Sequence, residues 1–367
     1  MMIVIVAGDP SGDLHASHLI RALKERGGAS LRVAAVGGPL MRAQADEFLE
    51  DLASRGVTGF WEPLVKLPFM ARLALRLKRF MKDRNADALI CVDYYGFNRR
   101  VLGLAKNLGV PAFYYISPQV WASRPRRVQA LKKLVRRMLV IFPFEEKLYA
   151  DAGVPCRFVG HPLLDLMPAP EEKSAPGRPP RVGLLPGSRR SEIERHLPIL
   201  LRACDKLRSY YPELKVQAFA PPSAPDSAYD AARADGVEIV REKGYEQRRR
   251  LDLALCSSGT ATLENALLGV PMVVLYKMSW LTYRIARALI RVRHIAMANI
   301  LAGETLAPEL IQRDATAERL AEEAAKLLAD APRYAEVRRK LLAVRASLGT
   351  PGAAQRAADS ILSELRR

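Results

Sequence analysis

Several short stretches of the sequence hold residue types that bind anions or move protons. In Ala7-Gly8-Asp9-Pro10-Ser11-Gly12-Asp13-Leu14-His15 an apolar run meets two glycines and then a helical pattern. Glycines in such a turn let a ligand approach the backbone, and the unpaired N–H groups of a helix start suit an anion or a sugar hydroxyl. Ser11 or Asp13 is equally suited to capping that helix. The run is not G-x-G-x-x-G, so dinucleotide binding is not indicated. His15 and His18 have a metal-ligand spacing, but no third ligand groups with them, which favours surface or hydrogen-bonding roles.

Asp93 closes the apolar run Ile90-Cys91-Val92 and precedes Tyr94-Tyr95-Gly96-Phe97-Asn98. A carboxylate at the carboxyl end of a strand is a natural general base, since burial lifts its pKa toward the working range. A turn or cap role is the alternative. Downstream, Gly183-Leu184-Leu185-Pro186 leads into Gly187, Ser188 and Arg189 and then a helical pattern. Helix N–H groups and a guanidinium at one point make a phosphate site. Without the GKS or GKT ending, a nucleoside-triphosphatase reading is weak. Cys256-Ser257 repeats the device with Ser258, Gly259 and Thr260, followed by Glu264 inside the helix. Glu264 has two acceptor oxygens for ribose hydroxyls, or else serves the first turn as a capping carboxylate. The sequence has neither D-x-D nor H-E-x-x-H. No metal is signposted, and charge on a phosphate leaving group falls to Arg and helix termini.

The elements that would hold these loops read as α/β. Short β-branched runs alternate with amphipathic stretches: candidate strands are Met2–Ala7, Leu31–Val36, Ala88–Asp93, Ala112–Ile116 and Met138–Phe142, then Arg181–Leu185, Leu214–Ala220, Val237–Val240, Leu253–Ser257 and Pro271–Tyr276. That alternation predicts two doubly wound parallel-sheet domains facing across a cleft, with ligands near the strands' carboxyl ends. Met167–Pro180 holds five prolines in fourteen residues and reads as a linker. The expected division is therefore 1–166, a linker 167–180, 181–345, and a C-terminal helical segment 346–367 that packs back on the first domain.

At 367 residues, 49% hydrophobic and 26% charged, the chain is globular, which excludes disorder and collagen. No apolar stretch reaches the roughly 18 to 20 residues of a spanning helix. The start MMIVIVAGDPSGD lacks the marks of a signal peptide, so a cytoplasmic location is expected. Cys91, Cys156, Cys204 and Cys256 form no CxxC pair, which argues against a disulfide framework or zinc site. The net charge of +18 points to nucleic acid, an anionic membrane or phosphorylated small molecules. Nucleic acid is disfavoured, because aromatics are only 7% and no base-reading motif occurs. Leu64–Lys82 mixes apolar and basic residues in the manner of an interfacial helix, with Phe69, Met70, Leu73 and Leu77 as candidate membrane contacts; Trp280–Arg293 is a second such stretch.

The ordered series AGDPSGD, VDYYGFN, YISPQVWASRPRR, FPFEEKLYADAGVP, FVGHPLLD, LLPGSRRSEIE, SSGTATLENALLGVPMVV and NILAGETLAPELIQ resembles the lipid-A-disaccharide synthase family of inverting glycosyltransferases with the GT-B fold. The resemblance implies transfer of 2,3-diacylglucosamine from UDP to 2,3-diacylglucosamine 1-phosphate, giving a β-1,6 disaccharide and UDP. It implies Asp93 as base, Arg189 at the donor diphosphate, Glu264 at the nucleotide, Ser11 and Asp13 near the reacting sugars, and Asn299 in the loop beside the donor. No cofactor is implied. Peripheral association with an anionic inner-membrane surface is expected, and a homodimer is a candidate assembly. The chain departs from the family pattern at Gly96, Ser123 and Glu304, so roles at those positions do not transfer. Another GT-B enzyme acting on UDP-N-acetylglucosamine, a glycosyltransferase or an epimerase, is the rival reading.

Overall fold

The computed structural model describes residues 1–54, 67–123, 126–222, 224–241, 244–280, 283–284 and 293–366. The chain divides into two compact units, Met1–Asp165 with Leu348–Arg367, and Leu166–Ser347.

The first unit runs β1 (Met2–Ala7), α1 (Pro10–Gly27), β2 (Arg32–Gly37), α2 (Pro39–Gln44), β3 (Glu47–Asp51), α3 (Leu67–Asp83), β4 (Ala88–Val92), α4 (Tyr95–Asn107), β5 (Ala112–Tyr115), α5 (Arg126–Lys132), β6 (Arg137–Val140), α6 (Pro143–Asp151) and β7 (Cys156–Phe158). Its strands lie in the order β3-β2-β1-β4-β5-β6-β7, all parallel. β1 pairs Ile5 with Ala35 on one side and Ile90 on the other. Strands covered on both faces must be apolar throughout, and Ile3–Ala7 and Ala88–Val92 are wholly buried. The strand order reverses between β1 and β4, which opens a crevice at their carboxyl ends.

The second unit runs β8 (Arg181–Leu185), α7 (Arg190–Arg208), β9 (Lys215–Phe219), β10 (Glu238–Val240), β11 (Leu253–Ser257), α8 (Thr260–Leu268), β12 (Met272–Tyr276), α9 (Met297–Ala302), β13 (Glu309–Ile311), α10 (Ala317–Ala329) and α11 (Ala331–Ser347). Its parallel sheet has the order β10-β9-β8-β11-β12-β13, with the reversal between β8 and β11. The last helix, α12 (Ala353–Leu365), packs on α1 in the first unit. Arg26 meets Asp359 there, and Arg136 and Arg137 both reach Glu364.

Two expectations are corrected. Met167–Pro180 is built into the second unit: Lys173 sets its ammonium 3.2 Å from the buried Asp252 carboxylate, and Arg338 donates to the Glu171 carbonyl. Of the four membrane contacts expected on α3, Leu73 and Leu77 are core residues with Ala74 and Met81, because the helical period turns that stripe onto the sheet. Phe69 and Met70 are half-buried against the same core. The outward apolar residues of this helix are instead Leu67 and Leu75, 52% and 55% exposed, with Arg72 and Arg79 beside them. Of the second stretch, Leu281–Thr282 and 285–292 lie outside the described residues. No described helix is long and apolar enough to cross a membrane.

Candidate active site

Asp93 follows β4 directly. It and Tyr94 both take left-handed backbone conformations, φ 43° and 45°, which L-residues other than Asn and Asp rarely adopt. The turn is held from behind. Tyr114 donates its hydroxyl to the Asp93 carbonyl at 2.5 Å, and Asn98 donates to the same carbonyl at 2.7 Å and to Val92 at 3.2 Å. Both side chains are buried. The Tyr94 ring then lies across Gly8, where a Cβ would stand 2.0 Å from Cδ1. Only glycine fits there, and the first loop is locked to the Asp93 turn. Burial pushes the Asp93 carboxyl up to about 6, and the neighbouring Asp9 carboxylate adds to that, against a hydrogen bond from the Tyr94 N–H. A carboxylate so placed is ionised at neutral pH yet more basic than an ordinary Asp, which suits a general base.

The first loop differs from its sequence reading. The cap of α1 is neither Ser11 nor Asp13 but Asp9, whose carboxylate accepts the Gly12 N–H at 2.6 Å, with Pro10 at the first helical position. The Asp-Pro pair was the signal for this. Ser11 is exposed on the first turn. Asp13 is buried, and its two oxygens accept the N–H groups of Gly38, Leu40 and Met41 at 2.8 to 3.0 Å. It therefore holds the start of α2. Burial first, with the His18 charge second, pushes His15 down to about 4, and burial with the His15 charge second pushes His161 down to about 3, so both are neutral. Among the described residues no group of three His, Cys, Asp or Glu is placed to hold a metal ion.

The loops after β5 and β6 were not read as a unit from sequence. Glu145, buried on α6, accepts the Ser117 hydroxyl at 2.5 Å, the Trp121 indole N–H at 3.2 Å and the Phe142 N–H at 3.3 Å. Burial pushes its carboxyl up to about 7 against those three bonds. One turn on, Tyr149 donates to the Pro118 carbonyl at 3.4 Å.

In the second unit, β8 ends in Leu185, Gly187 turns the chain at φ 128°, and Arg189 stands at the N-cap of α7. The N–H groups of Ser188 and Arg189 point to one place. There Glu192 accepts both, at 3.2 and 3.4 Å, and its other oxygen lies 3.2 Å from the exposed Arg189 guanidinium. The two N–H groups and the guanidinium are thus able to hold acceptor oxygens at one point. His196, fully buried, sets Nδ1 2.8 Å from the Pro186 carbonyl and Nε2 3.0 Å from that of Lys277, tying this turn to the chain after β12. The adjacent strand β11 delivers the second turn. Ser258 donates to the Ile295 carbonyl at 2.9 Å, Gly259 is the N-cap of α8 at φ 154°, and Thr260 begins that helix. Glu264 is not a capping carboxylate: it accepts the Tyr245 hydroxyl at 2.9 Å and pairs with Arg248.

Asn299 is fully buried and uses its whole hydrogen-bonding capacity within the chain. Its amide donates to Ala307 and Glu309, both at 2.8 Å, and its oxygen accepts from Leu306 and Ala307 at 2.8 and 2.9 Å. It shapes the 303–309 loop from inside, and no donor of its amide is left for a ligand. Glu304 at that loop pairs with Lys340 of α11 at 2.7 Å, which balances its charge. Gly96 is exposed with open space where a Cβ would go, and the Ser123 side chain is outside the described residues.

A sequence model of the lipid-A-disaccharide synthetase family matches residues 3–359. A lipid-A-disaccharide synthase of Geobacter metallireducens is 43% identical over 375 residues, covering 99% of this chain and 97% of the relative. One of Anaeromyxobacter dehalogenans is 41% identical, with 99% and 97% covered. Among solved structures, MurG of Acinetobacter baumannii superposes with a TM-score of 0.63 at 17% identity, covering 99% of each chain. A UDP co-structure of S. aureus MnaA gives 0.65 at 13%, with 100% of this chain and 97% of that one covered. At those identities the likeness is one of fold, the GT-B class.

Proposed function

The chain belongs to the lipid-A-disaccharide synthetase family, glycosyltransferases of lipid A biosynthesis, and from that premise we propose how its residues divide the reaction. Asp93 is the base that takes the proton from the 6-hydroxyl of 2,3-diacylglucosamine 1-phosphate. The freed oxygen attacks C1 of the UDP-linked 2,3-diacylglucosamine, the C1–O bond to the diphosphate breaks, and inversion gives the β-1,6 linkage and UDP. Charge growing on the departing diphosphate is met by Arg189 and by the N–H groups of Ser188 and Arg189, with Glu192 giving way to the phosphate. Ser258, Gly259 and Thr260 line the neighbouring turn, and Glu264 receives the nucleotide.

The observation that carries this reading is the Asp93 carboxyl, raised to about 6 on a turn that Tyr114, Asn98 and Gly8 hold in a conformation of high cost. The acylated substrates draw the protein to an anionic inner-membrane surface. The exposed apolar and basic residues Leu67, Arg72, Leu75 and Arg79 of α3 support that contact. A homodimer is compatible with the reading and is tested by light scattering.

The reaction is tested by incubating the purified protein with UDP-2,3-diacylglucosamine and 2,3-diacylglucosamine 1-phosphate and detecting the disaccharide by mass. Replacing the donor by UDP-N-acetylglucosamine should stop product formation; turnover of that donor alone would favour the epimerase-like rival. Arg189→Ala should lose most UDP release while folding normally, since its side chain is 67% exposed. Full activity in that variant would remove Arg189 from the donor site.

A further inference from the structure

The motif Ser117-Pro118-Gln119-Val120-Trp121 is distant in sequence from Phe142–Tyr149, yet the fold ties them by three hydrogen bonds made by two side chains of α6. Glu145 accepts from Ser117, Trp121 and its own helix start at Phe142, and Tyr149 donates to Pro118. The carboxylate is 1% exposed. Burying an acceptor of that strength is costly unless each oxygen is used, and both are. A cap for α6 alone would need one oxygen on a helix at the surface. This one is turned inward and spends its other oxygen on the loop after β5.

That loop is beside the base. β5 is the neighbour of β4 in the sheet, and Asp93 donates its N–H to the Tyr115 carbonyl at 3.1 Å. Tyr95, two residues after Asp93, carries the Arg127 guanidinium 4.3 Å above its ring, so the segment after Trp121 also returns to the Asp93 turn. The half-buried Trp121 stands edge-on to Phe144 at 5.3 Å, and Phe144 stacks on Phe142 at 5.7 Å. With its ring perpendicular to Phe144 and its N–H on Glu145, the indole is held in one orientation. Indole faces bind the apolar C–H face of a pyranose ring, and a fixed ring binds it at less entropic cost.

We propose that Glu145 is a positioning residue for the acceptor: through Ser117 and Trp121 it fixes the loop after β5 as the wall against which the acceptor sugar rests while Asp93 takes its proton. The proposal rests on the assignment of Asp93 as the base. Removing the carboxylate should loosen acceptor binding and leave the donor site of the other unit untouched.

The test is steady-state kinetics of Glu145→Ala, Glu145→Gln and Trp121→Phe, with UDP affinity measured separately by calorimetry. In Glu145→Ala the acceptor KM should rise about tenfold, the loss of a hydrogen bond to a charged group. Its kcat should change less than about threefold, and its UDP affinity should not change. Glu145→Gln keeps a carbonyl oxygen for Ser117 and Trp121 and should recover most of the KM. Trp121→Phe, lacking the N–H, should fall between. A folded Glu145→Ala with wild-type acceptor KM, a folded Glu145→Gln that recovers none of the KM lost in Glu145→Ala, or an equal loss of acceptor and UDP binding overturns the proposal. Should Glu145→Ala fail to fold, Ser117→Ala and Trp121→Phe carry the same comparison, and unchanged KM in both overturns it. Asp93→Asn, assayed alongside, keeps the two readings apart: if that variant retains full kcat, the base assignment fails whatever Glu145 does.

Discussion

Asp93→Asn should slow the enzyme and stabilise its fold at the same time. The wild-type carboxyl is harder to ionise in the folded unit than in the unfolded chain, its pKa raised from the ordinary value to about 6 by burial first and Asp9 second. That displacement corresponds to roughly 3 kcal/mol against the ionised form. Because the folded chain holds this proton more tightly than the unfolded chain does, the cost is absent below about pH 4. It grows as pH rises through 6 and is complete above. Asn is neutral at every pH, close in shape, and tolerant of the positive φ that position 93 needs. The variant should therefore match the wild type in stability near pH 4 and exceed it by up to roughly 3 kcal/mol at pH 8. Over the same range its rate of disaccharide formation should be lower by on the order of 10² to 10⁴, as for loss of a general base. Urea unfolding at pH 5 and pH 8, read beside mass-detected product, checks both. A variant less stable than wild type at pH 8, or a stability difference that does not grow with pH, would refute the desolvated-carboxylate argument. Retained activity would refute the base.

Three further outcomes follow from contacts described above. Gly8→Ala places a methyl against the Tyr94 ring and should cost about 1 to 3 kcal/mol together with activity, by displacing the Asp93 turn; Gly8→Ala combined with Tyr94→Ala should regain the stability in thermal melts. Asn299→Ala leaves buried partners at Leu306, Ala307 and Glu309 unmet and should cost about 3 kcal/mol in urea unfolding, with weaker UDP binding as the loop loosens. Leu67→Ser with Leu75→Ser should reduce co-sedimentation with anionic liposomes while stability stays within about 0.5 kcal/mol; Leu77→Ser, at a fully buried site, should cost roughly 2 to 5 kcal/mol with or without lipid.

The sheets were legible where burial leaves no choice of residue. Met2–Ala7 is apolar throughout, and Leu253–Ser257 is apolar up to its last residue, because helices cover both faces, and both were read to the residue. The strands that sequence reading missed are Glu47–Asp51, Cys156–Phe158 and Glu309–Ile311, each at a sheet edge. An edge strand is short and carries charge on its open side, so it offers no apolar run to find. Asp93 was visible as a carboxylate closing a strand. What held it in place was not, since the Tyr94 ring on Gly8 joins residues far apart in sequence, and no local pattern demands a left-handed Tyr. On α3 the composition pointed outward while the spacing of Leu73, Leu77 and Met81 pointed in, and the spacing was the better guide. Glu145 resembled any first-turn carboxylate because its second partner, Ser117, is 28 residues away.

The first unit is interrupted in sequence: Leu348–Arg367 completes it only after Leu166–Ser347 has built the second. On the ribosome, then, the unit whose strands are made first is closed last. Until α12 emerges, the face of α1 that it covers is open to water, and Arg26, Arg136 and Arg137 lack Asp359 and Glu364. The second unit, continuous in sequence, has all its strands in hand earlier. Vectorial synthesis thus puts a waiting period on the half of the protein that carries Asp93, and a chain stopped by a nonsense codon near Ser347 would be released with that half unfinished.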